Sequence, residues 1–178
     1  MFINTEYRMN FLKILFLIPI FFISNSFIFA SEIFDEKILF KQKDWEVVLL
    51  RYDDRSTACV ARNGKGNKEL QIYVNSEVDE LAIYYDDSDV NNTLKIFEFA
   101  VDDLSSWYSE SPYLDSGWLI MDLNSASKKT FNSLISEIRE GQELFHLNEN
   151  RKIINSFSLK GSAASLNKLE ECIKEQGF

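Results

Sequence analysis

The sequence predicts an α+β fold: an antiparallel sheet of about six to eight strands, meander- or sandwich-like, followed by two late helices, the C-terminal one packed on the sheet. Three observations carry this. Four strand-like runs recur at roughly twelve-residue spacing from Trp45 onward, separated by turn-forming clusters. The period then changes, with Phe131, Leu134, Ile135 and Ile138 at i, i+3, i+4 and i+7 on one helix face. Last, an amphipathic helix follows Gly161-Ser162 and reaches Cys172, while the other cysteine, Cys59, lies in an early strand.

In chain order, Trp45–Arg51 is β-branched and apolar and stops at Asp53-Asp54-Arg55-Ser56. Thr57–Arg62 is a second strand closed by Asn63-Gly64-Lys65-Gly66-Asn67, where Asn-Gly is a hairpin signal. Glu69–Asn75 alternates Leu70, Ile72 and Val74 against Gln71, Tyr73 and Asn75, and Leu81–Tyr85 repeats the pattern. Thr93–Val101 is strand-like, Asp102–Asp115 reads as an aromatic loop, and Trp118–Leu123 as a strand buried on both sides. The first helix starts near Ser125 or Ser127 and ends at Gly141, and Glu143–Leu147 with Ile153–Ser158 form a last hairpin. Ser162 is the expected N-cap of the second helix and Gly177 its stop. Leu166, Leu169 and Ile173 lie within about 60° on the helical wheel, with Ala163 bordering them and Cys172 to the side.

Residues 1–30 read as a signal peptide. Arg8 and Lys13 precede the apolar run Ile14–Ile23, and Ala30 precedes Ser31-Glu32 as a cleavage site. The alternative is an uncleaved anchor, since Phe11–Ala30 is close to the 20 or so residues that span a bilayer. Residues 31–44 are expected to be a charged leader, leaving 45–178 as a single domain. Removing Arg8, Lys13 and Glu6 takes the counts from 19 basic and 28 acidic to 17 and 27, a formal charge of −10. That balance argues against nucleic acid and anionic membrane surfaces, and is compatible with simple solubility or a basic partner. Two cysteines in an exported chain imply one disulfide, Cys59–Cys172; two buried thiols are the alternative.

The constellations that could carry chemistry are few. His146 is the one histidine, alternating with Leu144 in a strand; no nucleophile elbow, zinc-ligand set or Cys-x-x-Cys accompanies it. The sharpest metal candidate is the acidic segment from Asp87 to Glu98. It places oxygen donors at calcium-loop positions through Asp87, Asp89, Asn91, Thr93 and Glu98, but has Asn92 where the loop calls for glycine. Lys160-Gly161-Ser162 at a helix start could hold an anion, or simply cap the helix. The aromatic segment holding Trp107, Tyr108, Pro112 and Tyr113, with Trp118 beyond it, is the candidate interaction surface, and Tyr73, Tyr84 and Tyr85 suggest a second aromatic face.

A tryptophan-initiated first strand at Trp45, then Cys59-Val60-Ala61, then Phe157-x-Leu159-x-Gly161-Ser162-Ala163-Ala164 with Leu166, Leu169 and Cys172 resembles small exported bacterial proteins of the invasion-associated locus B type. That family commonly carries more cysteines than the two present. The resemblance spans most of the chain after residue 30. It implies a periplasmic, disulfide-bonded domain without catalysis, linked in some members to host interaction. It transfers no catalytic residues. The expected function is therefore an exported periplasmic binding or accessory protein acting on an unknown protein or envelope component, with no membrane span after cleavage, not an enzyme and without a cofactor. A calcium-dependent module using Asp87, Asp89, Asn91 and Glu98 is the alternative, and an envelope hydrolase the third reading.

Overall fold

The computed structural model describes residues 31–65, 68–85, 97–103, 106–109, 112–124 and 128–178. In chain order the elements are β1 (Ile33–Gln42), β2 (Trp45–Tyr52), β3 (Thr57–Lys65), β4 (Lys68–Val74), β5 (Asp79–Tyr85), β6 (Phe97–Val101), β7 (Trp107–Ser109), β8 (Tyr113–Asp115), β9 (Trp118–Asp122), α1 (Lys128–Glu140), β10 (Glu143–Leu147), β11 (Ile153–Ser158) and α2 (Ser162–Gln176). They form a seven-stranded sheet in the order β1-β2-β3-β4-β5-β9-β8 and a four-stranded sheet in the order β11-β10-β6-β7. This is the α+β fold expected, with the C-terminal helix against β1, β2 and β3.

The sheet begins earlier than the sequence suggested. Residues expected to be a leader form β1, paired with β2 from Ile33↔Tyr52 to Gln42↔Trp45. The pattern was hidden because β1 is an edge strand. Its outward positions carry charge, as exposed edges commonly do, and those charges pair across the sheet. Asp35 meets Arg51 at 2.6 Å, Glu36 meets Arg62 at 2.6 Å and Lys41 meets Glu46 at 3.3 Å.

A second correction concerns the β3–β4 turn. Lys65 pairs with Lys68, so the strands run on past Asn63-Gly64 and their connection lies outside the described residues. Asn63 and Gly64 stand inside the strand instead. Asn63 is buried, and its amide Nδ2 donates to the Ser158 carbonyl, which also accepts from Trp45 Nε1 at 3.0 Å. Gly64 adopts φ 99°, and a Cβ there would come within 2.1 Å of the Lys68 carbonyl oxygen. Gly64→Ala is therefore expected to lower stability by about 2 kcal/mol or more through backbone strain. Urea denaturation of the variant checks this, and an unchanged midpoint refutes it.

One face of the large sheet builds the main core. Trp45, Val47, Leu49, Ala61, Leu70, Ile72, Leu81, Ile83 and Leu119 meet Phe97, Phe99, Val101 and Leu144 of the small sheet, Leu134 and Ile138 of α1, and Leu166 and Leu169 of α2. The alternation read for Glu69–Asn75 is what puts Leu70, Ile72 and Val74 inward. The α1 stripe holds as well, with Leu134 and Ile138 buried and Phe131 and Ile135 flanking. Its expected caps, Ser125 and Ser127, lie outside the described residues.

Two details of α2 differ from expectation. Ser162 does not cap its own helix: Gly161, at φ 104°, occupies the cap position without a side-chain bond. The buried Ser162 hydroxyl donates instead to the Ile138 carbonyl at 2.7 Å, satisfying an acceptor near the end of α1. Ser162→Ala should therefore cost about 1–2 kcal/mol by leaving that buried carbonyl unpaired, with Ser162→Thr a milder change. Thermal melts of the two variants measure the difference, and equal melting points would contradict it. Cys172 is likewise part of the buried face with Ser162, Ser165, Leu166 and Leu169, whereas Ala163 is exposed. Two small polar residues line that face, so hydrophobicity alone misplaced its centre. Gly177 ends the helix as expected, its N–H reaching the Ile173 carbonyl at 3.0 Å.

Candidate functional site

The two cysteines are bonded. Cys59 and Cys172 stand 6.0 Å apart at their Cα atoms across 113 residues of sequence, and both are buried. The bridge fixes α2 to β3 in the core, so it shapes a scaffold and offers no accessible thiol.

The aromatic segment expected as a loop is split between the two sheets. Trp107 and Tyr108 form β7 on β6, while Tyr113 belongs to β8 on β9. Trp107 packs partly into the main core, and its Nε1 donates to Glu137 of α1 at 2.6 Å. Tyr108 is 63 % exposed opposite Glu98. Tyr113 is 44 % exposed, and its hydroxyl donates to the Glu80 carboxylate. Burial, and then the hydrogen bond to Glu80 and that group's charge, push the Tyr113 phenol above its ordinary range. The three residues are divided between the two sheets.

The structure gathers a different aromatic set on the large sheet, on the face opposite the main core. Register decides which residues share it. Glu69 pairs with Tyr84, Tyr84 with Trp118, and Trp118 with Asp115. The next row runs Lys41, Glu46, Arg62, Gln71, Ala82, Ile120, Tyr113, and the one after it Ile38, Val48, Val60, Tyr73, Glu80, Asp122. Tyr84 and Trp118 stack edge to face at 5.1 Å. Tyr52 and Tyr73 share a hydroxyl hydrogen bond of 3.1 Å, and Asn75 Nδ2 donates to Tyr73 at 3.3 Å. Burial and this bond push the Tyr52 phenol upward. Among the described residues, the apolar floor of this face (Val48, Leu50, Ala58 and Val60, flanked by Tyr52 and Tyr73) comes from the sheet's own strands. Small residues in the middle and rings at the sides leave the rings partly open to solvent. Tyr73 and Tyr84 were visible in the sequence as a second aromatic face; that Trp118 and Tyr113 join them required the strand order. Of Tyr85, only the backbone is described.

The same face carries a cluster of charged groups around Arg62. Arg62 grips Glu36 with both terminal nitrogens, at 2.6 and 3.1 Å, and donates from Nε to Glu46 at 2.8 Å. Burial works to raise the Glu46 carboxyl, but Arg62 and then Lys41 outweigh it and hold it below the ordinary range. Glu69 moves the other way: burial raises it, Arg62 relieves this in part, and Glu46 and Glu36 add repulsion. A cleft of about 270 Å³ opens beside Tyr52 and Tyr73. Its polar groups serve local turns, since Asp54 binds the Ser56 N–H and Ser31, and Asn75 the N–H groups of Glu77 and Val78.

His146 is fully buried in β10, edge to face with Phe97 at 5.2 Å, and burial lowers its pKa to about 4. The calcium candidate cannot be placed, because Asp87, Asp89 and Asn91 lie outside the described residues. Glu98, its last member, sits on β6 and pairs with Arg151 at 3.3 Å. Among the described residues no group of His, Cys, Asp and Glu has the arrangement of a metal site. At Lys160-Gly161-Ser162, the Ser162 hydroxyl faces α1, as described above.

Fold and site together define a disulfide-closed, two-sheet α+β domain with an aromatic and acidic sheet face. No protein-family model matches the chain, and neither a curated protein nor a solved structure matches it.

Proposed function

We propose that this is an exported, periplasmic binding or accessory domain without chemistry of its own, which recognises a protein or envelope component through the outer face of the large sheet. The observation that carries the reading is the partly open aromatic set, Tyr84, Trp118, Tyr113 and Tyr73, on a sheet whose other face is filled by core. Rigid rings at such positions offer large contact area at small entropic cost. The buried bridge suits an oxidising compartment. The resemblance to invasion-associated locus B proteins points the same way. The one histidine is buried and both cysteines are bonded, so the groups most often used as base or nucleophile are not presented to a substrate. Among the described residues no helix is long and apolar enough to cross a membrane.

The test is capture from envelope extracts by the purified chain, compared with a Tyr84→Ser/Tyr113→Ser variant and a Tyr108→Ser control on the other sheet. A partner held by the wild type and the control and lost by the double variant supports the reading. Capture that depends on Tyr108 alone, or that ignores all three residues, removes it.

A further inference from the structure

Two separate demands of the fold place an asparagine directly before a glycine inside β3. Gly64 stands at φ 99°, with the Lys68 carbonyl oxygen 2.1 Å from where a Cβ would lie, so a side chain has no room. Asn63, 4 % exposed, supplies the amide that reaches the Ser158 carbonyl. No other asparagine in the chain is followed by glycine. Such a step is chemically labile, because glycine has no side chain to keep its nitrogen away from the preceding amide carbon. The fold holds the reaction off. Ring closure needs the Asn63 backbone to leave its extended form, and pairing with Trp45 of β2 and Leu70 of β4 prevents this from both sides. The amide itself is pinned on Ser158 at the end of β11, and the bridge from Cys172 fastens the following helix to the same strand at Cys59. Solvent is close all the same: a cleft of about 380 Å³, lined by Lys41, Lys43, Asp44 and Glu46, opens beside the pair.

We propose that Asn63-Gly64 is a deamidation site gated by closure of the C-terminal segment on β3. When Ser158 withdraws and the strand loosens, solvent base takes the Gly64 amide proton and the nitrogen attacks Asn63 Cγ. The N–Cγ bond forms, the Cγ–Nδ2 bond breaks, and ammonia leaves with a proton from water. Water then opens the succinimide ring at either carbonyl, leaving aspartate or isoaspartate at position 63. One water is consumed and one ammonia released, with no oxidant or reductant. The product fits the closed fold poorly. A carboxylate at position 63 presents acceptors where the Ser158 carbonyl takes a donor, and burial there disfavours its charge. Isoaspartate also adds a backbone atom, which shifts the register against β2 and β4. The site thereby converts time spent open into a permanent mark on the chain.

Peptide mass mapping follows position 63 while the purified full chain is incubated in mildly alkaline buffer. Three samples are compared: the folded chain with its bridge intact, the same chain reduced and held in urea, and the folded Cys59→Ala/Cys172→Ala variant. We expect Asn63 to be the fastest asparagine of the unfolded chain and to react at least about tenfold more slowly in the folded one. The double variant should react severalfold faster than the folded wild type, because its tail opens more often and a modification slower than reclosing follows the open population. Should the double variant not fold, Ser162→Ala, which loosens the same corner, takes its place with the same expectation. Equal rates in the folded and unfolded wild type overturn the proposal, as do equal rates in the wild type and the loosened variant. Asn63→Asp imitates one product and should melt below the wild type; an unchanged melting point would mean that the mark has no consequence, and the proposal falls on that count too.

Discussion

Replacing Cys59 and Cys172 together by alanine is expected to remove about 4–5 kcal/mol of stability, the loop-closure entropy for a bridge spanning 113 residues. That is a large share of the margin of an ordinary domain, about 5–15 kcal/mol in total. Each single replacement should cost nearly as much as the double one, since either breaks the bond. The residual difference reflects how well the site tolerates an unpaired buried sulfur. Guanidinium denaturation with and without reductant checks the claim. Wild-type protein in reductant should fall to the stability of the double variant, which itself ignores reductant. A wild type indifferent to reductant, with the bridge shown to be reduced, would mean that packing of α2 alone holds the domain closed.

The second large effect is acid sensitivity. In the folded chain His146 stays neutral down to about pH 4, because burial disfavours the imidazolium. The unfolded chain protonates it below about 6.5, so the unfolded state binds more protons between those limits. Stability is therefore full above about pH 6.5 and falls as pH drops toward 4, by about 3 kcal/mol from this one group. His146→Leu should flatten that limb while costing some stability at neutral pH through the lost Phe97 contact. Denaturation midpoints measured from pH 7.5 to 4 in both proteins decide it. If the two curves fall in parallel, other groups carry the acid response.

What the sequence made legible was whatever had period. Leu70, Ile72 and Val74 declared a half-buried strand, Phe131, Leu134, Ile135 and Ile138 a helix face, and both are where they were read. The cysteine pairing followed from there being two. Ile33–Gln42 was missed because most of this edge strand is exposed, so charge displaced the alternation. Strands β7 and β8 were missed because three residues hold too little pattern to stand out from a loop. The aromatic face was half legible. Tyr73 and Tyr84 share a parity within neighbouring strands, but Trp118 and Tyr113 reach them only because β9 pairs with β5, skipping β6 to β8. Local sequence carries no record of that long-range order. Asn63 is the converse case: its amide serves the distant Ser158 carbonyl, and a strong local turn signal yields to that contact.

The Ser158 carbonyl, accepting from both Trp45 and Asn63, and the bridge from Cys172 to Cys59 have a bearing on how the molecule is made. A ribosome delivers the first three strands well before the residues that fasten them. Until position 158 has emerged the Trp45 indole lacks its acceptor, and until position 172 has emerged Cys59 is a thiol without its mate. The early hairpins are thus left waiting, in need of protection from other thiols and from association, until the tail arrives. The closing bond waits on position 172, and a chain cut before it cannot form that bond.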